Sequence, residues 1–228
     1  MKYSQYLSDI CNGSNYIIED NTINLILYVD AVSYNKSGAT SMWAVFSSIV
    51  ELPPILRCSY ENILFHSFWS GPDIKFNLFL EKYNSEIDQL IKGFDFNGLK
   101  LKVKIHVFIA DGPGRAKCLN CHQHNGAYGC IFCLHPTARH KKTTVYPLLD
   151  NIYLRTHAAY VNQVNKAIEI NKPVMGVKGP TYVSNWLAIP DFVVLDYMHL
   201  CLIGSFKWYV NHICDSAKSK SKPYYIGL

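Results

Sequence analysis

The chain has 228 residues and a formal charge of +5, with 49% hydrophobic, 14% aromatic and 17% charged residues, enough for one large or two small domains with a sizeable core. That charge admits a nucleic-acid partner without demanding one. No stretch nears the roughly 20 apolar residues of a membrane span, and Met1-Lys2-Tyr3-Ser4-Gln5 lacks the apolar core of a signal peptide, so no membrane partner is expected.

The first elements read as strands. Asn24–Val29 is a β-rich apolar run ending at Asp30, and residues 31–41 supply a turn. Met42–Leu52 is a second run, closed by Pro53-Pro54, and Ile63–Trp69 a third, ended by Ser70-Gly71-Pro72. Short strands with turns between them predict an antiparallel meander. The period then changes: Phe76, Phe79, Leu80, Tyr83, Ile87, Leu90 and Ile91 recur at three- and four-residue steps, predicting an amphipathic helix capped near Asp73 and stopped at Gly93. Leu99–Ala110 alternates Leu101, Val103, Ile105 and Val107 with Lys100, Lys102, Lys104 and His106, a strand with one wet face that delivers Asp111. The order β-β-β-α-β, with an acid leaving the first and fourth strands, is the ribonuclease H-like arrangement. There those two strands lie side by side, and Asp30 and Asp111 converge as candidate catalytic ligands of Mg²⁺ or Mn²⁺. Two such ions about 3.5–4 Å apart can serve phosphodiester cleavage, and carboxylate oxygens suit these hard cations.

Eight cysteines without a secretion signal imply a reducing compartment, where paired cysteines more often bind metal than form disulfides. Cys118-Leu-Asn-Cys121 and Cys130-Ile-Phe-Cys133 have the spacing of a tetrahedral zinc site. Cys11, Cys58, Cys201 and Cys214 read as buried apolar residues. Arg139–Lys142 reads as a basic solvated loop, 151–170 as a helix, and Gly176–Pro180 as a break. Phe192–Leu195 leads into Asp196-Tyr-Met-His199 and an apolar helix over Leu200–Val210. Arg115, Lys117, Arg139–Lys142 and Lys178 are candidates to line a DNA track, with no base reader singled out.

These residues bring a resemblance into view. Leu27-Tyr-Val-Asp30-Ala with Lys36-Ser37 and Ser41-Met-Trp43, then Glu51-Leu-Pro-Pro with Arg57, then Phe68-Trp-Ser-Gly71, follow one another as in the catalytic region of CACTA-type DNA transposases. Asp111-Gly-Pro-Gly-Arg115 is similar to that family's second-acid motif. Asn125-Gly126, Tyr128-Gly-Cys130, Cys133, Gly176-Val-Lys-Gly179 and Asp196-Tyr-Met-His199-Leu200 resemble its later blocks. Ala31 stands where the family commonly has Gly, and Gly112 and Gly114 where Ala is usual.

The resemblance implies an α/β, ribonuclease H-like mixed sheet with flanking helices and a zinc-binding Cys-x-x-Cys/Asp-x-x-His insertion. Its zinc ligands would be Cys130, Cys133, Asp196 and His199; spacing alone leaves open a four-Cys site that adds Cys118 and Cys121. Asp196 has a further possible role as a third ligand in the acidic centre. The implied organisation is an extension over 1–22, the first part of the core over 23–117, the insertion over 118–200 and a helix with a truncated end over 201–228. The family's third acid is a Glu beyond the Asp-x-x-His block, and no matching segment occurs in this sequence, so a domain incomplete or inactive alone is expected. Two functional classes follow: a nuclear transposase domain cutting and joining DNA at element ends, or a non-catalytic descendant that binds DNA or protein.

Overall fold

The computed structural model describes residues 19–33, 41–71 and 74–217, in two compact bodies, one running to Val194 and the other from Leu195. The first is α/β, a six-stranded mixed sheet with flanking helices. β1 (Thr22–Ser33) lies antiparallel to β2 (Ser41–Ile49), followed by the four-residue helix α1 (Pro54–Arg57), and β2 lies antiparallel to β3 (Leu64–Gly71). Helix α2 (Phe76–Lys92) and the short strand β4 (Phe94–Phe96) lead to β5 (Leu99–Ala110), which runs parallel to β1 on the side away from β2. After helix α3 (Gly112–Cys118) come a separate hairpin of β6 (Ala138–His140) and β7 (Thr143–Val145), helix α4 (His157–Ile170) and helix α5 (Val183–Trp186). Strand β8 (Val193–Leu195) pairs with β5.

The expected meander and helix are present, with α2 pressing Phe76, Phe79, Leu80, Tyr83 and Ile87 into the core. These meet Leu25, Leu27 and Val29 of β1, Trp43 and Val45 of β2, and Val103, Ile105 and Phe108 of β5. Gly93 ends the helix at φ 107°, a conformation open to glycine, and its N–H bonds back to the Leu90 carbonyl at 3.2 Å. The cap expected near Asp73 lies outside the described residues. On the opposite face Ile26, Val50 and Val107 form a smaller cluster beside Tyr28 and Ile109. The buried Asn24 is paired: it donates its N–H to the Glu51 carboxylate at 3.1 Å and its amide at 2.7 Å.

Several local expectations are corrected. β1 does not end at Asp30; its ladder with β2 continues through Asp30↔Ala44 to Ser33↔Ser41 because paired backbone groups are retained there. The alternation of β5 breaks at His106. Leu25 pairs with Ile105 but Ile26 with Val107, so His106 is the extra residue of a β-bulge. The histidine expected on the wet face is buried instead, and Phe108 and Ala110 join the main core. The helix expected from 151 begins at His157, capped by the Thr156 hydroxyl. Its predecessors are held extended, with Leu134 N–H bonding to the Tyr153 carbonyl and Arg155 N–H to that of Phe132. Cys58 and Cys214 are exposed, at a surface helix end and on an outer helical face, and Cys201 is half-buried; Cys11 lies outside the described residues.

The second body continues into a π-helical run, Met198–Phe206, joined to helix α6 (Lys207–Ala217). This replaces the plain α-helix expected over Leu200–Val210. Gly204 departs from helical geometry (φ −93°, ψ −106°), and a Cβ there would lie 2.6 Å from the His199 carbonyl oxygen. Among the described residues no helix is long and apolar enough to cross a membrane.

The packing makes a direct prediction. Leu80 is 1% exposed and Leu78, two residues earlier, 56%. In urea unfolding, Leu80→Ala should cost about 2–5 kcal/mol and Leu78→Ala less than about 0.5 kcal/mol. Equal losses would contradict the assigned helix face.

Candidate functional site

The bulge at His106 governs the acidic pair. Before it, β5 is offset from β1 so that Leu25 faces Ile105; after it the offset grows by one, and Val29 faces Ala110. Asp30 is the next residue of β1, and Asp111 is the first residue after β5, where it caps α3. Both acids are half-buried and lie one step past the Val29↔Ala110 pair, near the middle of the sheet. Without the extra residue, Asp30 would face Ala110.

Each carboxylate is tied locally by one oxygen. Asp30 Oδ1 accepts from the Ala31 N–H at 2.8 Å. Asp111 caps α3, its Oδ1 accepting from the Gly114 N–H at 2.7 Å. Gly-Pro-Gly reads as a turn, yet it opens a helix because Asp111 satisfies its first amides and Pro113 is tolerated in a first turn. Gly114 is demanded by space: a Cβ there would sit 2.7 Å from Asp111 Oδ1 and 3.5 Å from the Trp43 ring. Both side chains offer carboxylate oxygen, the hard donor type that Mg²⁺ and Mn²⁺ take.

The cysteines divide into two kinds. Cys118 and Cys121 are buried, and Cys118 belongs to the sheet core. Burial pushes the Cys118 thiol far up, with the Asp111 charge adding to it, and pushes Cys121 up to about 12. Cys130 and Cys133 are half-buried on the following loop. Burial raises the Cys133 thiol, as does Cys130, while the backbone N–H of His135 bonds to the sulfur and opposes the rise. Being less buried than Cys118 and Cys121, this pair is the better placed of the two to meet a soft metal.

Sequence reasoning missed the residue that holds this loop. Arg155, 4% exposed, donates from Nε to the Ile131 carbonyl at 3.1 Å. Its Nη2 donates to the carbonyls of Cys130 at 3.2 Å and Met175 at 2.9 Å, and its Nη1 to the Gln163 side chain. A lone arginine between a turn and a helix carries no sequence signal for such a role. Gly176, at φ 83°, packs onto the same loop, where a Cβ would meet the Tyr128 carbonyl oxygen at 2.3 Å.

In the second body Asp196 and His199 are brought together. Asp196 Oδ2 bonds to His199 Nδ1 at 2.5 Å, and Oδ1 accepts from the N–H groups of Met198 and His199 at 2.9 and 3.3 Å. Burial raises the Asp196 carboxyl, but the His199 ring and these N–H groups outweigh it and hold it below its usual value. Both oxygens are thus engaged in orienting His199, the part a carboxylate plays behind a metal-binding imidazole. Cys130 and Cys133 belong to the first body and this pair to the second. Among the described residues no group of three or more His, Cys, Asp or Glu side chains gathers as a metal ion requires. The basic run Arg139–Lys142 forms the exposed tip of the β6–β7 hairpin rather than a plain loop.

No model of a known protein family matches this chain, and no curated protein matches it.

The loop geometry generates a prediction. Arg155→Leu strands three carbonyls and should lower stability by about 2–4 kcal/mol. In the native protein Cys118 and Cys121 should resist Ellman's reagent, and in the variant they should react faster. Rapid labelling of both in the wild-type protein would contradict their burial.

Proposed function

We propose that this chain is a ribonuclease H-like domain related to the CACTA-type DNA transposases, with Asp30 and Asp111 as ligands of Mg²⁺ or Mn²⁺ for DNA strand cleavage and transfer. The observation that supports the reading is the parallel register of β1 and β5, whose last pair, Val29↔Ala110, immediately precedes the two acids. Divalent cations there would stabilise the attacking and leaving oxygens of a phosphodiester displacement. The chain's own part is to hold the two carboxylates rigidly. The core beneath β1 and β5 fixes the strands, and the Gly114 N–H fixes the rotamer of Asp111. Two close carboxylates repel unless a cation or a shared proton intervenes. DNA at element ends is the corresponding partner and the nucleus the corresponding location.

The same reading assigns a structural zinc to Cys130 and Cys133. The half-burial of Cys130 and Cys133, in contrast with the buried Cys118 and Cys121, supports the cysteine half. The second reading is a non-catalytic DNA- or protein-binding module. It is favoured by the lack, among the described residues, of a third acid gathered with Asp30 and Asp111.

Manganese binding, followed by electron paramagnetic resonance and calorimetry, separates the two. The catalytic reading expects weak, saturable Mn²⁺ binding that falls at least about tenfold, or about 1.4 kcal/mol, in Asp30→Asn and in Asp111→Asn. Cleavage of DNA by this chain alone should be slight. Binding unaltered by both substitutions, with the fold intact by circular dichroism, leaves only the non-catalytic module. Metal analysis of the same protein should find zinc that is lost in Cys130→Ser; zinc-free, folded wild-type protein would dismiss that site.

A further inference from the structure

α3 carries Asp111 at one end and Lys117 near the other, about 9 Å further along the helix axis at 1.5 Å per residue. Beside Lys117 opens a trough of about 530 Å³ between the first turn of α2, α3 and the turn after Gly176. Three lysines from these three segments, Lys75, Lys117 and Lys178, line it together with Asn120, and among the described residues no carboxylate does. All three lysines are exposed. Two of the walls are preset: Lys117 Nζ rests 4.6 Å above the Trp43 ring, and the Lys178 N–H bonds to the Asn120 carbonyl at 2.9 Å. A second trough of about 230 Å³ shares Asn77 with the first and continues past Pro180 to Tyr182 and Asn185. The surface is thus cationic near the acid and neutral beyond it, with amides and a phenol ring.

We propose that this trough is a track for the backbone of a nucleic-acid strand, with Lys75, Lys117 and Lys178 contacting its phosphates and Tyr182 lying beside its bases. The proposal rests on the reading that Asp30 and Asp111 act on DNA, and it names the surface that feeds them. Three cations drawn from separate segments along an open trough match a polyanion that runs through. A small phosphate ligand is instead enclosed on most sides. A cationic groove followed by a ring for stacking is how strands are held without sequence readout.

The test is fluorescence anisotropy of a labelled single-stranded oligonucleotide with the full chain over a range of NaCl concentrations. Each phosphate contact removed should lower the slope of log affinity against log salt by about 0.7, so the triple variant Lys75→Ala, Lys117→Ala, Lys178→Ala should lose about 2. A control with the same charge change, Lys82→Ala, Lys166→Ala, Lys172→Ala, should keep the wild-type slope. Equal slopes in the two triple variants, or a wild-type chain that does not bind the oligonucleotide, would overturn the track. A polyglutamate peptide that competes as well as DNA at equal charge would overturn the assignment to nucleic acid. Manganese titration of the groove variant keeps the two proposals apart. Lysine-dependent DNA binding without Mn²⁺ binding sinks the catalytic reading and leaves the track, and Mn²⁺ binding with unchanged slopes sinks the track alone.

Discussion

The catalytic reading of this molecule depends on how β1 and β5 are aligned. Two parallel strands in the middle of a sheet can be paired in many registers, and a one-residue slip moves every side chain to the other face. The core fixes the first half of the pairing, where Leu25 packs with Val103 and Ile105. The bulge at His106 then adds one residue to β5 and shifts the second half. With that insertion the pairing runs to Val29↔Ala110, one residue before Asp30 and Asp111, and the bulge buries an imidazole whose pKa burial pulls down, with Lys104 pulling the same way and Glu51 against it. Bulges recur near functional sites because they re-aim side chains without breaking the sheet.

The end of β5 is where strand geometry passes to helix geometry. Asp111 satisfies the first amides of α3, and Gly114 leaves room for its carboxylate beneath Trp43. Trp43 in turn faces Phe76 of α2 edge-on at 4.9 Å and carries Lys117 on its ring. One buried indole therefore links the acid, the helix that follows it and the helix across the sheet. The cysteine loop is organised separately, around the Arg155 guanidinium and its three carbonyl partners.

Much of this frame was legible in the sequence, for a physical reason. The alternation in Leu99–Ile105 and the three- and four-residue spacing from Phe76 to Ile87 are direct imprints of strand and helix periods. Asp111 was readable because it ends an apolar run. What escaped depends on contacts distant in the chain. His106 has no local mark of a bulge, and the extension of β1 past Asp30 is fixed by pairing with β2. Gly-Pro-Gly looked like a turn because the cap from Asp111 outweighs its poor helix propensity. Arg155 reaches carbonyls 20 to 25 residues away, and the π-helical run turns on the backbone of Gly204. The cysteine spacing was plain, but not that Cys118 and Cys121 serve the interior while Cys130 and Cys133 face each other.

The most direct test of the account is a crystal soaked in Mn²⁺, with data collected at the manganese absorption edge. The account predicts an anomalous peak between the carboxylates of Asp30 and Asp111, held by both. A map with those carboxylates adjacent but no peak, or with Asp111 set beside Ala31 because His106 is not bulged, would contradict it.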